Sequence, residues 1–271
     1  MKKKVIVSTD CALDCLFHDP DDAAALLYLF TNQCLEIRAI VTSFGNTSES
    51  KAFDSIKYLL DVTGFTCRVI RGPKHERDGR CEAVDFLTSI NQQEYIAVST
   101  GPLTTFGQLS GRELRSFQDM YIMGGVLKGL GNKPPLYRAE FNIAKDELAA
   151  RAVLNSRSVK LVPLDTTRKV TMTTRLIENV TRKWPVLGHK FARFNTINRF
   201  LRFGTGSHPH DLLLALAISN PELFAIQVTG ISLRNGRTMK DTGSRPSHDV
   251  FFVTDASPIV RFLEAWSERI L

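Results

Sequence analysis

The residues of this chain whose types and spacing point most directly to chemistry are the carboxylates of Ser8 to Leu27, STDCALDCLFHDPDDAAALL. Asp10, Asp14, Asp19 and the adjacent Asp21 and Asp22 follow one apolar run and precede another. Like charges held close raise one another's pKa, so such a group is stable beside a core only when something positive shares the site, a metal ion most economically. The competing account is a solvated loop ending in a helix cap, since a helix N-terminus also favours negative charge. The stretch alone leaves both open. Cys11, Cys15 and His18 are spaced loosely like zinc ligands, but no fourth ligand accompanies them, which argues against zinc.

The acids need elements to hold them. Lys4 to Thr9 reads as a strand whose Val5, Ile6 and Val7 form a continuous apolar run, the pattern of a parallel strand covered on both faces. Further strands are expected at Leu35 to Ser43, Cys67 to Arg71, Tyr95 to Thr100, Gln118 to Met123 and Val159 to Asp165. Helices are expected from Asp21 onward, over Ser48 to Val62 and in the later part of 139–155, and 72–86 and 129–138 read as loops. This rhythm predicts an α/β fold with an open, mostly parallel, doubly wound (Rossmann-like) sheet, in which ligands sit beyond the carboxyl ends of the strands. The remainder adds helices over 171–203 and from Asp211. It ends in a strand and helix extension: Phe224 to Thr229, Arg237 to Thr242, Val250 to Thr254, a hairpin around Asn235-Gly236, and the helix Pro258 to Ile270.

Composition narrows the class. With 271 residues, 43% hydrophobic and 23% charged, the chain reads as a soluble globule, and no linker or repeat divides it, so one domain over 1–271 is expected. No apolar window approaches the length of a membrane span or signal peptide, so no membrane association and a cytoplasmic location are expected. Five cysteines fit reduced thiols better than a disulfide framework. The net charge of +7 comes from basic residues spread among acids, without a nucleic-acid-binding module, which argues against a nucleic-acid partner.

Six segments in order resemble the calcium-dependent nucleoside hydrolases of the inosine-uridine type. STD followed by DDAAALL looks like a spread-out form of that family's D-x-D-P-G-x-D-D-A opening; Gly45-Asn46 resembles its second strand end, and VSTGPLT (98–104) its V-x-T-G-P-L-T-N strand end. MGGVLKGLGN (123–132) with AEFNI (139–143), VPLDTT (162–167) and HDLLLALA (210–217) are similar to three more family segments. The resemblance implies hydrolysis of a ribonucleoside's N-glycosidic bond, Ca2+ as cofactor, a role in nucleoside salvage and a homo-oligomer, dimer or tetramer. It implies that Asp10, Asp22, Asp211 and the Thr100 carbonyl hold the ion, and that Asp10 takes the proton of the metal-bound water. It gives the ribose to Asp21, Asn132, Glu140 and Asn142 with Asn46 nearby, and the departing base to His210. Cleavage through an oxocarbenium-like sugar needs a water activated on one face and a leaving group assisted on the other.

Each residue also has a plainer account: Asp22 and Asp211 complement helix starts, Asn142 finishes a turn, and His210 is a satisfied histidine. Glu140, an acid inside an apolar stretch, favours a role. His208 and His248 have no partner legible in the sequence.

The resemblance breaks at its opening. Ten residues, CALDCLFHDP, separate Asp10 from Asp21, where the family has only a few. An inserted loop keeps the junction between acids and apolar helix; in the ungapped alternative Asp14 becomes the ribose ligand and Cys15, a poor calcium ligand, replaces a carboxylate. With the insertion, Asp14 and Asp19 belong to a loop that either reshapes the substrate mouth or spoils the site. Phe17, His18 and Arg80 are candidates for an altered rim, and His75 sits in a segment only partly like the family's substrate loop. Ser8, in place of the family's first acid, and this spacing also admit a second reading, an impaired relative that binds a nucleoside or metal without turnover.

Overall fold

Val5 and Val7 are buried in one apolar layer and Ile6 in another, so successive side chains of the first strand face opposite cores. A computed structural model describes residues 2–13, 18–133, 135, 138–201 and 206–270. Its strands are β1 (Lys3–Thr9), β2 (Leu35–Thr42), β3 (Arg68–Ile70), β4 (Tyr95–Ser99), β5 (Asp119–Met123), β6 (Lys160–Val162), β7 (Ala225–Arg234), β8 (Arg237–Lys240) and β9 (Ser247–Phe252). They form one nine-stranded sheet in the order β3-β2-β1-β4-β5-β6-β9-β7-β8. From β3 to β9 the pairing is parallel; β7 runs antiparallel to β9, and β8 to β7. The expected open, mostly parallel, doubly wound sheet is therefore present.

Strand order reverses between β1, which leads toward β2, and β4, which leads toward β5. A crevice opens at the carboxyl ends of such a pair. Ser8 lies opposite Val41 on one side and Ser99 on the other, so the segments leaving β1, β2 and β4 emerge together. Two helices start at this crevice and pack against each other, Asp21–Thr31 and His210–Ser219. Both are apolar nearly all round and correspondingly buried. Each fully buried leucine, such as Leu27 or Leu213, contributes about 1.5–3 kcal/mol. That burial fixes where the acids at the helix starts must lie.

Several boundaries differ from expectation. The segment expected as loop to residue 86 folds into the helix Glu82–Ser89, because Ala83, Val84 and Leu87 bury one face. The strand expected over 159–165 stops at Val162, where Pro163 leads into the short helix Leu164–Thr167. The helix expected late in 139–155 is two, Phe141–Lys145 and Glu147–Ser156, divided at Asp146, whose carboxylate caps the second through Ala149 N at 3.0 Å. The basic helical region is divided at Trp184, between Thr174–Lys183 and Pro185–Leu201, and its end at 202–205 lies outside the described residues. The hairpin turns at Asn235 and Gly236 with φ of 51° and 71°, the left-handed pair of a tight two-residue turn. Cys11, Cys34, Cys67 and Cys81 are free thiols. Among the described residues no helix is long and apolar enough to cross a membrane.

Candidate active site

Asp10 is the first residue after β1, and its carboxylate is wedged between two glycines. A Cβ on Gly45 would stand 2.0 Å from its Oδ2, and one on Gly101 would stand 2.5 Å from its Oδ1. Neither strand end can carry a side chain while this carboxylate keeps its place. Asn46 N donates to Asp10 Oδ2 at 2.5 Å, completing the clamp.

The two helix starts bring three more acids beside it. Asp22 Oδ1 accepts from Thr9 Oγ1 at 2.6 Å and Thr100 Oγ1 at 2.7 Å, which ties the helix to the ends of β1 and β4. Asp21 Oδ2 accepts from Asp211 N at 3.1 Å, joining the two helix starts. Asp211 is 5% exposed, and its Oδ1 has no hydrogen-bond partner among the described residues. Carboxylate oxygens of Asp21, Asp22 and Asp211 lie within 4.8 Å of one another, an arrangement that could hold a metal ion. Asp10 lies outside this closest trio but lines the same cleft.

The electrostatics are one-sided. Burial raises the pKa of Asp10, Asp19, Asp21 and Asp211 above the carboxylate range, well above it for all but Asp21. Asp22 is raised to about 7 by burial and then by the Asp21 charge. No lysine or arginine is among the described residues lining the cleft. A buried acid cluster with no described lysine or arginine beside it and a stranded carboxylate oxygen suits a cation from outside, and an all-oxygen donor set suits a hard divalent ion. The Thr100 carbonyl accepts from Asn142 Nδ2 at 2.7 Å, and a carbonyl has a second lone pair to offer.

The opposite wall comes from the segment after β5. Glu140 is 1% exposed and works as a helix cap: its two oxygens accept from Asn142 N, Ile143 N and Gly125 N at 2.8, 2.9 and 3.1 Å. Burial raises its pKa against the pull of these bonds. Asn132 Oδ1 accepts from Phe141 N at 2.7 Å. Asp165 receives Leu127 N and Lys128 N, and Arg168 donates to the carbonyls of Leu130 and Gly131, so the short helix after β6 holds the loop that delivers Asn132. Thr167, on the same helix, bonds His210 Nδ1 through Oγ1 at 2.6 Å. The VPLDTT segment thus anchors both walls.

The structure brings Asp10, Asp21, Asp22, Asn46, Thr100, Asn132, Glu140, Asn142, His210 and Asp211 to one cleft of about 160 Å3. Sequence reasoning did not place Asp19, Met123 or Phe141 there. Phe141 and Met123 carried no signal beyond their apolar type; Asp19 had one, an acid two residues before the Asp pair. Arg80, expected at the rim, pairs with Asp85 and does not line the cleft, and His75 pairs with Asp78 at 3.0 Å in the exposed 72–81 loop. Asp14, Cys15 and Phe17 lie outside the described residues. His208 Nδ1 bonds Val170 O at 2.8 Å and the buried His248 Nδ1 accepts from Val159 N, both away from the cleft lining.

The family model described as inosine-uridine preferring nucleoside hydrolase matches residues 5–264. The pyrimidine-specific ribonucleoside hydrolase RihA of Klebsiella pneumoniae is 26% identical over 303 residues, covering 93% of this chain and 96% of that protein. Among solved structures, a purine-preferring ribonucleoside hydrolase from Gardnerella vaginalis superposes with a TM-score of 0.85 at 17% identity over 99% of both chains. A plant nucleoside hydrolase gives 0.84 at 20% identity, over 100% of this chain and 99% of its own. At those identities the structural likeness establishes the fold.

Proposed function

The chain belongs to the inosine-uridine preferring nucleoside hydrolase family, and we propose that it hydrolyses the N-glycosidic bond of a ribonucleoside to free base and ribose. The observation that carries this reading is the stranded Oδ1 of Asp211 within a buried acid cluster that no lysine or arginine among the described residues neutralises. The donors fit calcium: the carboxylates of Asp10, Asp22 and Asp211 and the Thr100 carbonyl would hold it, with Asp21 adjoining. When bound, the ion supplies positive charge that makes a water more acidic and gathers sugar hydroxyls.

Asp10, held by Gly45, Gly101 and Asn46, takes the proton of the attacking water, whose oxygen bonds to the anomeric carbon as the bond to nitrogen breaks. The electron pair leaves with the base, and His210, oriented by Thr167, donates to it. Asp21, Asn46, Asn132, Glu140 and Asn142 bind and orient the ribose. Glu140 and Asn142 are fixed by main-chain partners before any ligand arrives, which lowers the cost of ordering them on binding. Similar proteins include pyrimidine-specific and purine-preferring enzymes, so the proposed substrate class is the ribonucleoside without a chosen base. The same reading takes 1–271 as one hydrolase-like domain, acting in the cytoplasm as a dimer or tetramer. Incubating the chain and calcium with purine and pyrimidine ribonucleosides, and separating free base from nucleoside by chromatography, tests it; intact nucleosides throughout would refute it.

A further inference from the structure

Asp19 belongs to the residues between Asp10 and Asp21 that the family's compact opening lacks, yet it lines the cleft. It is pinned there by the cleft's own residues. Its carbonyl accepts from Asn46 Nδ2 at 2.9 Å, and its Oδ1 accepts from Asp21 N at 3.2 Å. The end of the inserted segment therefore lies at the site, between Asn46 and Asp21, two residues the proposed function gives to the ribose. A carboxylate only accepts hydrogen bonds when ionised, and no lysine or arginine among the described residues lines the cleft to donate one. A sugar brought into the cleft carries hydroxyl donors of its own. The hydrogen bonds of Asp19 run to Asn46 and Asp21, the residues given to the ribose, which favours a sugar hydroxyl over the cation as its partner.

We propose that Asp19 is an added substrate-binding residue whose carboxylate accepts a hydrogen bond from one ribose hydroxyl. On this assignment the insertion sharpens selection for the sugar, because a half-buried acceptor left unpaired penalises an analogue lacking that hydroxyl. The assignment rests on the nucleoside reading of the cleft and goes beyond it by giving the insertion a task.

The test measures binding of inosine and uridine, and of their 2′-, 3′- and 5′-deoxy forms, by calorimetry at saturating calcium. The full chain carries Asp10→Asn so that ligand is not consumed, with and without Asp19→Asn, which keeps the size and an acceptor for Asp21 N. Asp19→Asn is expected to weaken binding of the full ribonucleoside about 10- to 100-fold, as for a hydrogen bond to a charged group. One deoxy form, lacking the hydroxyl that Asp19 reads, is expected to bind equally with either residue, and calcium affinity is expected to stay unchanged. Equal weakening of every form, no weakening of any, or a loss confined to calcium affinity would overturn the assignment. An unsubstituted chain that binds ribonucleosides without cleaving them would sink the hydrolase reading and leave the Asp19 comparison decisive; binding of no ribonucleoside would overturn both.

Discussion

The presence or absence of calcium is expected to reverse how this chain's stability responds to acid. Asp22 is 2% exposed, and its pKa stands at about 7 against an ordinary 3.8. The folded state thus holds a proton that the unfolded state releases between those values. At about 1.4 kcal/mol per pKa unit, ionised Asp22 disfavours folding above pH 7 by on the order of 4 kcal/mol. That penalty fades as pH falls through 7, returning on the order of 2–3 kcal/mol between pH 8 and pH 5. Asp10, Asp19 and Asp211 are displaced in the same direction and add to the gain. His248 opposes it: burial lowers its pKa from 6.5 to about 4, so it contributes stability above 6.5 that is lost as pH falls, roughly 2 kcal/mol by pH 5. The metal-free chain should therefore become more stable from pH 8 to pH 5. With calcium saturating, the charge of the acids is compensated and the His248 loss remains, so stability should fall over the same interval. Thermal unfolding followed by circular dichroism at four pH values, with and without calcium, reads both slopes. Parallel slopes would refute the reasoning, because the acid cluster would then carry no charge that a metal relieves.

The remaining predictions concern single residues. Asp10→Asn should lower kcat by about 10^2- to 10^4-fold, the usual worth of a positioned base, with nucleoside binding retained; steady-state kinetics beside calorimetry separate the two. Asp211→Asn should weaken calcium binding while raising the melting temperature of the metal-free chain, since it removes a buried carboxylate with an unpaired oxygen; a lowered melting temperature would count against the metal account. Gly101→Ala should cost on the order of 1–3 kcal/mol in unfolding experiments and most of the activity, since its Cβ would collide with Asp10. His210→Ala should slow turnover more for nucleosides with poor leaving bases than for activated ones such as p-nitrophenyl riboside, and uniform slowing would remove it from the leaving-group role.

Much of the fold was legible because its signals are local. The continuous apolar run of Val5 to Val7 could only suit a strand covered twice, and acids directly before AAALLYLF placed charge at a helix start. The errors lie where short-range cues compete. Pro163 ended a strand that apolarity alone would have carried to Leu164, and Ala83, Val84 and Leu87 made a helix of a segment whose polar beginning read as loop. The cleft's members were recognisable by type and order, but their supports were not. The Asp10 clamp depends on glycines 35 and 91 residues further along, and the grip of Asp165 and Arg168 on the 127–131 loop spans 37 or 38 residues, distances over which sequence carries no geometric signal. Asp19 was seen as an acid, but only the bond from Asn46 to its carbonyl, 27 residues apart, puts it in the cleft.

The central claim, calcium-dependent cleavage of a ribonucleoside, is tested most directly by following free ribose from a purine and pyrimidine ribonucleoside panel as calcium is removed with a chelator and then restored. The account predicts ribose release from at least one ribonucleoside, its loss on chelation and its return with calcium. No ribose from any member of the panel with calcium present, or release indifferent to the chelator, would contradict it.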